Sequence, residues 1–259
     1  MDFFLYRIFT AYIIKMVQKI ISYPLSVLYY FLLSISLIIF HPIQWVCLKV
    51  FGYHAHKSSV DVLQWFLMRS ANVLGTTFKC IGKENLPVNK PIIYVSNHQS
   101  MFDIVSIIWF LRKTHPKFVS KKELGKGIPS VSFNLKHGGS VLIDRNDPKQ
   151  ALPAIKGLGQ YIQKHNRSGV IFPEGTRSKT GVPKRFSENG VKMLCKFAPD
   201  AYVVPLSINN SWKLFRFGMF PMGLGAAITL EVHKPLKVSD YDFETLFKKT
   251  EEAILSKIK

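Results

Sequence analysis

Apolar residues come in pairs along the start of the chain. Phe4/Leu5, Ile8/Phe9, Tyr12/Ile13, Met16/Val17 and Ile20/Ile21 recur at helical intervals, with Arg7, Lys15 and Lys19 between them. This is the pattern of an amphipathic helix with a basic face, which suits the surface of an anionic bilayer. From Tyr23 to Val46 there is no charge at all. The continuous apolar run Pro24–Phe40 is, at about 1.5 Å per residue, just short of, or barely equal to, the thickness of a hydrocarbon core. Pro42 is expected to disrupt the helix that carries it. Lysines lie on both sides, Lys15 and Lys19 before and Lys49 and Lys57 after. Charge therefore gives no orientation and fits a dipping hairpin as well as a span. The basic residues are interspersed rather than leading and no small-residue cleavage site follows, so the pattern is not that of a secretory signal. Residues 1–70 read as membrane-associating helices, an amphipathic helix plus an apolar hairpin or span. Residues 71–259 read as a separate body.

In that body short β-branched runs alternate with helical patterns. "TTFKCIG", "PIIYVS", "KFVS", "GGSVLID", "GVIFPEG", "AYVVPLSI" and "AAITLEVHKPL" read as strands. "MFDIVSIIWFLRK", "PKQALPAIKGLGQYIQKH", "SENGVKMLCKFA" and "DYDFETLFKKTEEAILSKIK" read as helices. The alternation predicts an α/β fold with a mixed, mostly parallel sheet flanked by helices. Ligands bind such sheets at the carboxyl ends of the strands.

The formal charge of +19 over 259 residues calls for polyanionic surroundings, whether nucleic acid, lipid headgroups or acidic soluble partners. Nucleic acid lacks support, because no helix-turn-helix, RNP-like or zinc-finger signature is present. Cys47, Cys80 and Cys195 are odd in number and show no CxxC spacing, so neither a disulfide framework nor a metal site is expected, and a reducing compartment is the default.

Two motifs sit at predicted strand ends. In "SNHQSMFD", His98 follows a strand and Asp103 comes five residues later. A strand-end imidazole is a general base for neutral pH, and a carboxylate beside it holds one tautomer and stabilises the imidazolium. Ser100 is placed to cap the following helix. The spacing alone is weak evidence, since His56 and Asp61 repeat it in "HKSSVD" with no strand before them. "FPEGTRS" adds weight. Gly175 allows a ligand close to the backbone, and Arg177 presents a planar fork for phosphate. Glu174 is placed to orient that arginine or to bond a hydroxyl. Lys121 and Lys122 in "SKKELGKG" and Arg145 in "GGSVLIDR" put further cations at strand ends.

The ordered blocks "NHQSMFD", "KKEL", "GGSVLIDR", "FPEGTRS" and "VVPLSI", over about residues 75–210, resemble the signature of the glycerolipid acyltransferase family. The resemblance implies that His98, oriented by Asp103, deprotonates the sn-2 hydroxyl of lysophosphatidic acid, which attacks an acyl thioester directly. It implies that Glu174, Gly175, Thr176 and Arg177 bind the glycerol phosphate, that Arg145 assists, and that Lys121 or backbone N–H groups after His98 stabilise the oxyanion. It further implies acyl-CoA or acyl carrier protein as donor, no cofactor or metal, an anionic membrane as partner and a cytoplasmic-face location. Rival readings are a related enzyme acting on another lyso-lipid, a basic lipid-binding protein without chemistry, and a hydrolase using Ser100. Nothing like a GxSxG elbow surrounds that serine.

Overall fold

A computed structural model describes residues 3–259; the side chains of residues 3–6, 8 and 11 lie outside that description, and with them the pair Phe4/Leu5 and Ile8 of the amphipathic pattern. The chain opens with α1 (Phe3–Asn72), a long helix broken once, at Gly52, where φ is 79° and ψ is −166°. That region of backbone space is essentially restricted to glycine. Residues 3–51 form a first arm and 53–72 a second. The Phe40 and Phe66 rings lie 5.5 Å apart on opposite sides of the bend, so the arms run back along one another as a hairpin. The turn therefore falls at Gly52, and Pro24–Phe40 is straight helix. Pro42, expected to break the helix, lies inside it, as does Pro24. Each removes one backbone bond, to the carbonyl four residues earlier. Packing on both sides of each proline keeps the helix going.

The first arm is inside-out. Its buried stripe runs through Ser22, Ser26, Tyr29, Ser36, Phe40 and Gln44, spaced three, four or seven apart. Its outward face carries Val27, Leu28, Phe31, Ile35, Ile38, Ile39, Ile43, Trp45 and Val46. A helix in water does the reverse. An outward face this apolar suits lipid, and the helix is long and apolar enough to cross a membrane.

The body is an eight-stranded sheet. In chain order it comprises β1 (Thr77–Ile81), β2 (Ile92–Ser96), α2 (Phe102–Phe110), β3 (Pro116–Lys121), α3 (Val131–His137), β4 (Val141–Ile143), α4 (Pro148–His165), β5 (Ser168–Ile171), α5 (Glu188–Phe197), β6 (Tyr202–Asn209), β7 (Ala227–Val232), β8 (Leu236–Lys237) and α6 (Phe243–Leu255). Strand order is β1-β7-β6-β2-β5-β3-β4, with β8 beside β6. Pairings are parallel except where β6 meets β7 and β8. The mixed, mostly parallel sheet expected from the alternation is present; α3, in a stretch assigned to no element, is the helix missed.

Pro205 sits inside a central strand, where a missing N–H is usually excluded. Its carbonyl accepts from the His233 N–H at 3.0 Å, on the side away from β2. The proline nitrogen points to the same side, into the gap between the β7 and β8 pairings, so the ladder to β2 is intact.

Three apolar clusters hold the layers. Ile93 and Val95 meet α4, α5 and α6 through Leu158, Ile162, Leu194 and Leu246. On the opposite face Ile92 and Tyr94 meet Ile107 and Leu111 at and just beyond α2. The third joins Tyr29, Leu63 and Leu67 of α1 to Phe102, Leu214 and Met222 of the body. The expected boundary at 70/71 lies in the last turn of α1, and the two regions share that third core.

Candidate active site

β2 runs between two parallel neighbours, β5 and β6, and ends at Ser96. There the chain is pinned. The Asn97 amide donates to the Ile208 carbonyl at 2.8 Å and accepts from the Ile208 N–H at 2.7 Å, which ties the end of β2 to β6. His98 follows, almost wholly buried, with its ring stacked on Phe172 at a centroid distance of 4.0 Å. Its Nδ1 lies 2.8 Å from the Asp103 carboxylate. Among the described residues no partner is bonded to Nε2, so that nitrogen is the one available to a substrate.

Asp103 is fully buried in the first turn of α2. Its Oδ2 accepts from the N–H groups of Gln99 at 2.6 Å and Ser100 at 2.9 Å, besides facing His98. Its Oδ1 accepts from the Ser211 hydroxyl. Each bond favours the carboxylate and fixes its plane. Gln99 is held in turn by the Ser211 N–H, which donates to Oε1 at 3.1 Å. Ser100 Oγ accepts from the Phe102 N–H at 3.1 Å, the capping role its position suggested. The second His-x4-Asp pattern forms no such pair: Asp61 binds Lys57, and buried His56 packs on Phe133.

The loop after β5 closes the other side. Glu174 accepts from the His98 N–H at 2.7 Å through Oε1 and from the Lys184 N–H at 2.8 Å through Oε2. The Ser178 N–H donates to the His98 carbonyl at 2.7 Å. The two motifs are thus sewn together by backbone on both sides of the histidine. Each Glu174 oxygen thus accepts one backbone bond and keeps a second acceptor site, and among the described residues no contact joins it to Arg177. It shapes the loop. Burial, its main influence, raises its pKa, and the two N–H donors work against that rise.

Gly175 has φ of 67°, a left-handed conformation, and nothing lies within 4 Å of where a Cβ would stand. The backbone is open there, as a ligand site requires. Thr176 and Arg177 are exposed beside it. Arg145, at the end of β4, has its pKa lowered by partial shielding of the guanidinium and then by the like charge of Arg177. The two cations share a neighbourhood with no ion pair to either among the described residues, a ready anion site. Lys121 differs. Its side chain is half exposed and rests 3.4 Å from Glu123. Lys122 pairs with Asp144. The N–H groups of His98, Gln99, Ser100 and Phe102 already have protein acceptors, so they are not free donors for an oxyanion. Sequence reasoning missed Ser211 and Phe172 as parts of the site. Phe172 stands two residues before Glu174 in the quoted block, whereas no local signal marks Ser211.

A family model described as Acyltransferase matches residues 77–209, a stretch that contains His98, Asp103, Lys121, Arg145, Phe172 and Glu174 to Arg177 but not Ser211. A Cocos nucifera 1-acyl-sn-glycerol-3-phosphate acyltransferase is 27% identical over 186 residues, 71% of this chain and 56% of that protein. A Helicobacter pylori protein of the same name is 37% identical over 127 residues, 48% of this chain and 50% of that protein. One from Pseudomonas aeruginosa is 26% identical over 211 residues, covering 80% of each. This chain spans about half the length of the plant relatives, 44% for the chloroplast LPAT1 of Arabidopsis thaliana. The fold matches the crystal structure of the 1-acyl-sn-glycerophosphate acyltransferase PlsC of Thermotoga maritima, with a TM-score of 0.76 and 22% identity over 93% of this chain and 95% of that one. With the family model covering more than half of its residues, the chain belongs to the acyltransferase family.

Proposed function

We propose that this protein transfers an acyl group from a thioester to the sn-2 hydroxyl of lysophosphatidic acid, giving phosphatidic acid at a membrane surface. The observation that carries the reading is the His98–Asp103 pair, with Nδ1 held by a buried carboxylate and Nε2 unbonded. Nε2 removes the hydroxyl proton as the oxygen attacks the thioester carbonyl. The tetrahedral intermediate collapses with loss of the C–S bond, and the imidazolium returns its proton to the departing thiolate. Asp103 stabilises the imidazolium between the two transfers. Arg177 and Arg145 bind the acceptor phosphate. Thr176 and the open backbone at Gly175 line its approach, and Lys121, released from Glu123, answers the oxyanion charge. The donor is acyl-CoA or acyl carrier protein, both anionic partners for a chain of charge +19. No cofactor or metal takes part in these steps. The names of the relatives and the outward apolar face of α1 support lipid substrates and a membrane location, here read as the cytoplasmic face.

The test is transfer of labelled acyl groups from each donor to lysophosphatidic acid, with His98→Ala beside His165→Ala, an exposed control on α4. Loss of about 10²–10⁴-fold for His98→Ala alone is expected of a general base. Equal rates in the two variants would sink the assignment. A second reading, an acceptor without a free phosphate, predicts that Arg177→Ala leaves acceptor KM unchanged.

A further inference from the structure

The segment between β6 and β7 carries exposed apolar residues that the catalytic steps do not use. It leaves the site at Ser211, passes through a short helical turn (Ser211–Phe215) and reaches the tip Gly218-Met219-Phe220 before returning. Met219 is 57% exposed and Phe220 51%. The return is built tightly: the Gly223 N–H donates to the Leu214 carbonyl at 2.7 Å, and a Cβ on Gly223 would stand 2.0 Å from the Lys213 carbonyl oxygen. The apolar tip is therefore held out by a defined turn.

The first arm of α1 holds the tip in place. Tyr30 donates its hydroxyl hydrogen bond to the Met219 carbonyl, and the Met222 N–H donates to Ser26 Oγ at 2.7 Å. The Phe220 ring packs edge-on against Tyr23 at 5.5 Å. Arg216 reaches Gln18 at 3.3 Å. Those contacts engage Ser26 of the buried stripe and, around it, Gln18, Tyr23 and Tyr30. In the same stretch of the arm Val27, Leu28 and Phe31 are exposed and apolar, as Met219 and Phe220 are. Arg216 and Lys213 bring positive charge to its margin, as suits anionic headgroups around an inserted apolar tip.

We propose that Met219 and Phe220 form a second membrane-inserting element, a lip of the catalytic body that enters the same leaflet as α1. The lip is joined to the chemistry, since Ser211 at its root bonds Asp103 and Gln99. A lip in the bilayer presents the site to acceptor arriving laterally from lipid. The proposal rests on the lyso-lipid reading given above, and its test separates the two.

The full-length chain is placed in nanodiscs of phosphatidylcholine and phosphatidylglycerol with p-benzoylphenylalanine at Met219, at Phe31 as positive control, or at Val88, which is exposed at the far end of β2, as negative control. Irradiation is expected to give a phospholipid adduct at positions 219 and 31 and none at 88. Adduct at 31 without adduct at 219 overturns the proposal. Kinetics form the second arm. Met219→Asp/Phe220→Asp is expected to lower kcat/KM for a long-chain acceptor embedded in vesicles by about tenfold, with a short-chain soluble acceptor unaffected. An equal loss on both acceptors would mean the loop merely supports the fold, and the proposal fails. If the wild type acylates neither acceptor, the lyso-lipid reading falls while the crosslink still decides on the lip.

Discussion

At the residue scale, a buried carboxylate organises the site. Asp103 receives the His98 ring, two backbone N–H groups and the Ser211 hydroxyl. Asp103→Asn keeps the size but turns one oxygen into a donor facing donors, and the imidazole loses its tautomer. Turnover is expected to fall by about three orders of magnitude or more, with circular dichroism unchanged. Ser211→Ala leaves one carboxylate oxygen short of a donor, a loss of about 1–3 kcal/mol in chemical denaturation. Glu174 and Arg177 are distinguished by kinetics. Glu174→Gln should depress kcat by disturbing the backbone at His98 and Lys184, whereas Arg177→Ala should raise KM for a phosphate-bearing acceptor. A Glu174→Gln effect confined to KM would return that residue to substrate binding. The histidine and its aspartate were legible because both lie in one local block beside a strand end. Ser211 was not, since only the β2–β6 pairing brings it within reach.

At the element scale, the start of β3 carries an unusual burden. Lys117 is 6% exposed, with no ion pair to its ammonium group among the described residues; the ammonium lies over the face of Tyr53, 4.9 Å from the ring centroid. Burial, helped by Arg167 and Lys57, lowers its pKa to about 7. His115 before it is pushed down to about 4, by burial first and then by Lys57, Arg167 and Lys117. Both groups bind protons less well folded than unfolded. Their penalty is full below the folded value and is relieved as pH rises to the unfolded one. The thermal midpoint should climb from about pH 4 to 6.5 through His115 and His56, the latter likewise lowered to about 4 by burial, and again from about pH 7 to 10.5 through Lys117. Lys117→Met should raise the midpoint at pH 6 and flatten the alkaline rise; an unchanged profile would refute the assignment. The bend in α1 gives a second test. Gly52→Ala forces a Cβ into glycine-only backbone space, a cost of about 1–3 kcal/mol, and a cysteine pair at positions 40 and 66 should then crosslink less readily. Neither feature was visible in the pattern of residues. A lone glycine in an apolar helix signals nothing about its φ, and prolines that sequence rules treat as breakers were overridden by packing on both sides.

At the scale of the whole molecule, charge and apolarity act on different steps. A formal charge of +19 attracts anionic surfaces, and that attraction is screened by salt. Burial in lipid of an apolar face such as that of α1 is not. Association rates with phosphatidylglycerol vesicles should fall as salt rises towards about 1 M, while protein already bound should stay bound. Wholesale release by salt would show that only electrostatics holds it. The sheet order was only partly legible, because alternation fixes the fold class but not the antiparallel turn-back of β7 and β8.

The third apolar cluster bears on any attempt to make this chain more polar. Tyr29, Leu63 and Leu67 of α1 cover Phe102, Leu214 and Met222 of the body. Cutting the chain after Asn72 would bare those seats next to Asp103 and leave a sticky, misshapen fragment. The profitable route is to repaint: polar replacements at Val27, Phe31, Ile35 and Ile38, all on the outward face, leave every internal contact of the arm in place. In this molecule α1 shares a core with Phe102, the neighbour of Asp103, whereas Val27, Phe31, Ile35 and Ile38 take no part in it.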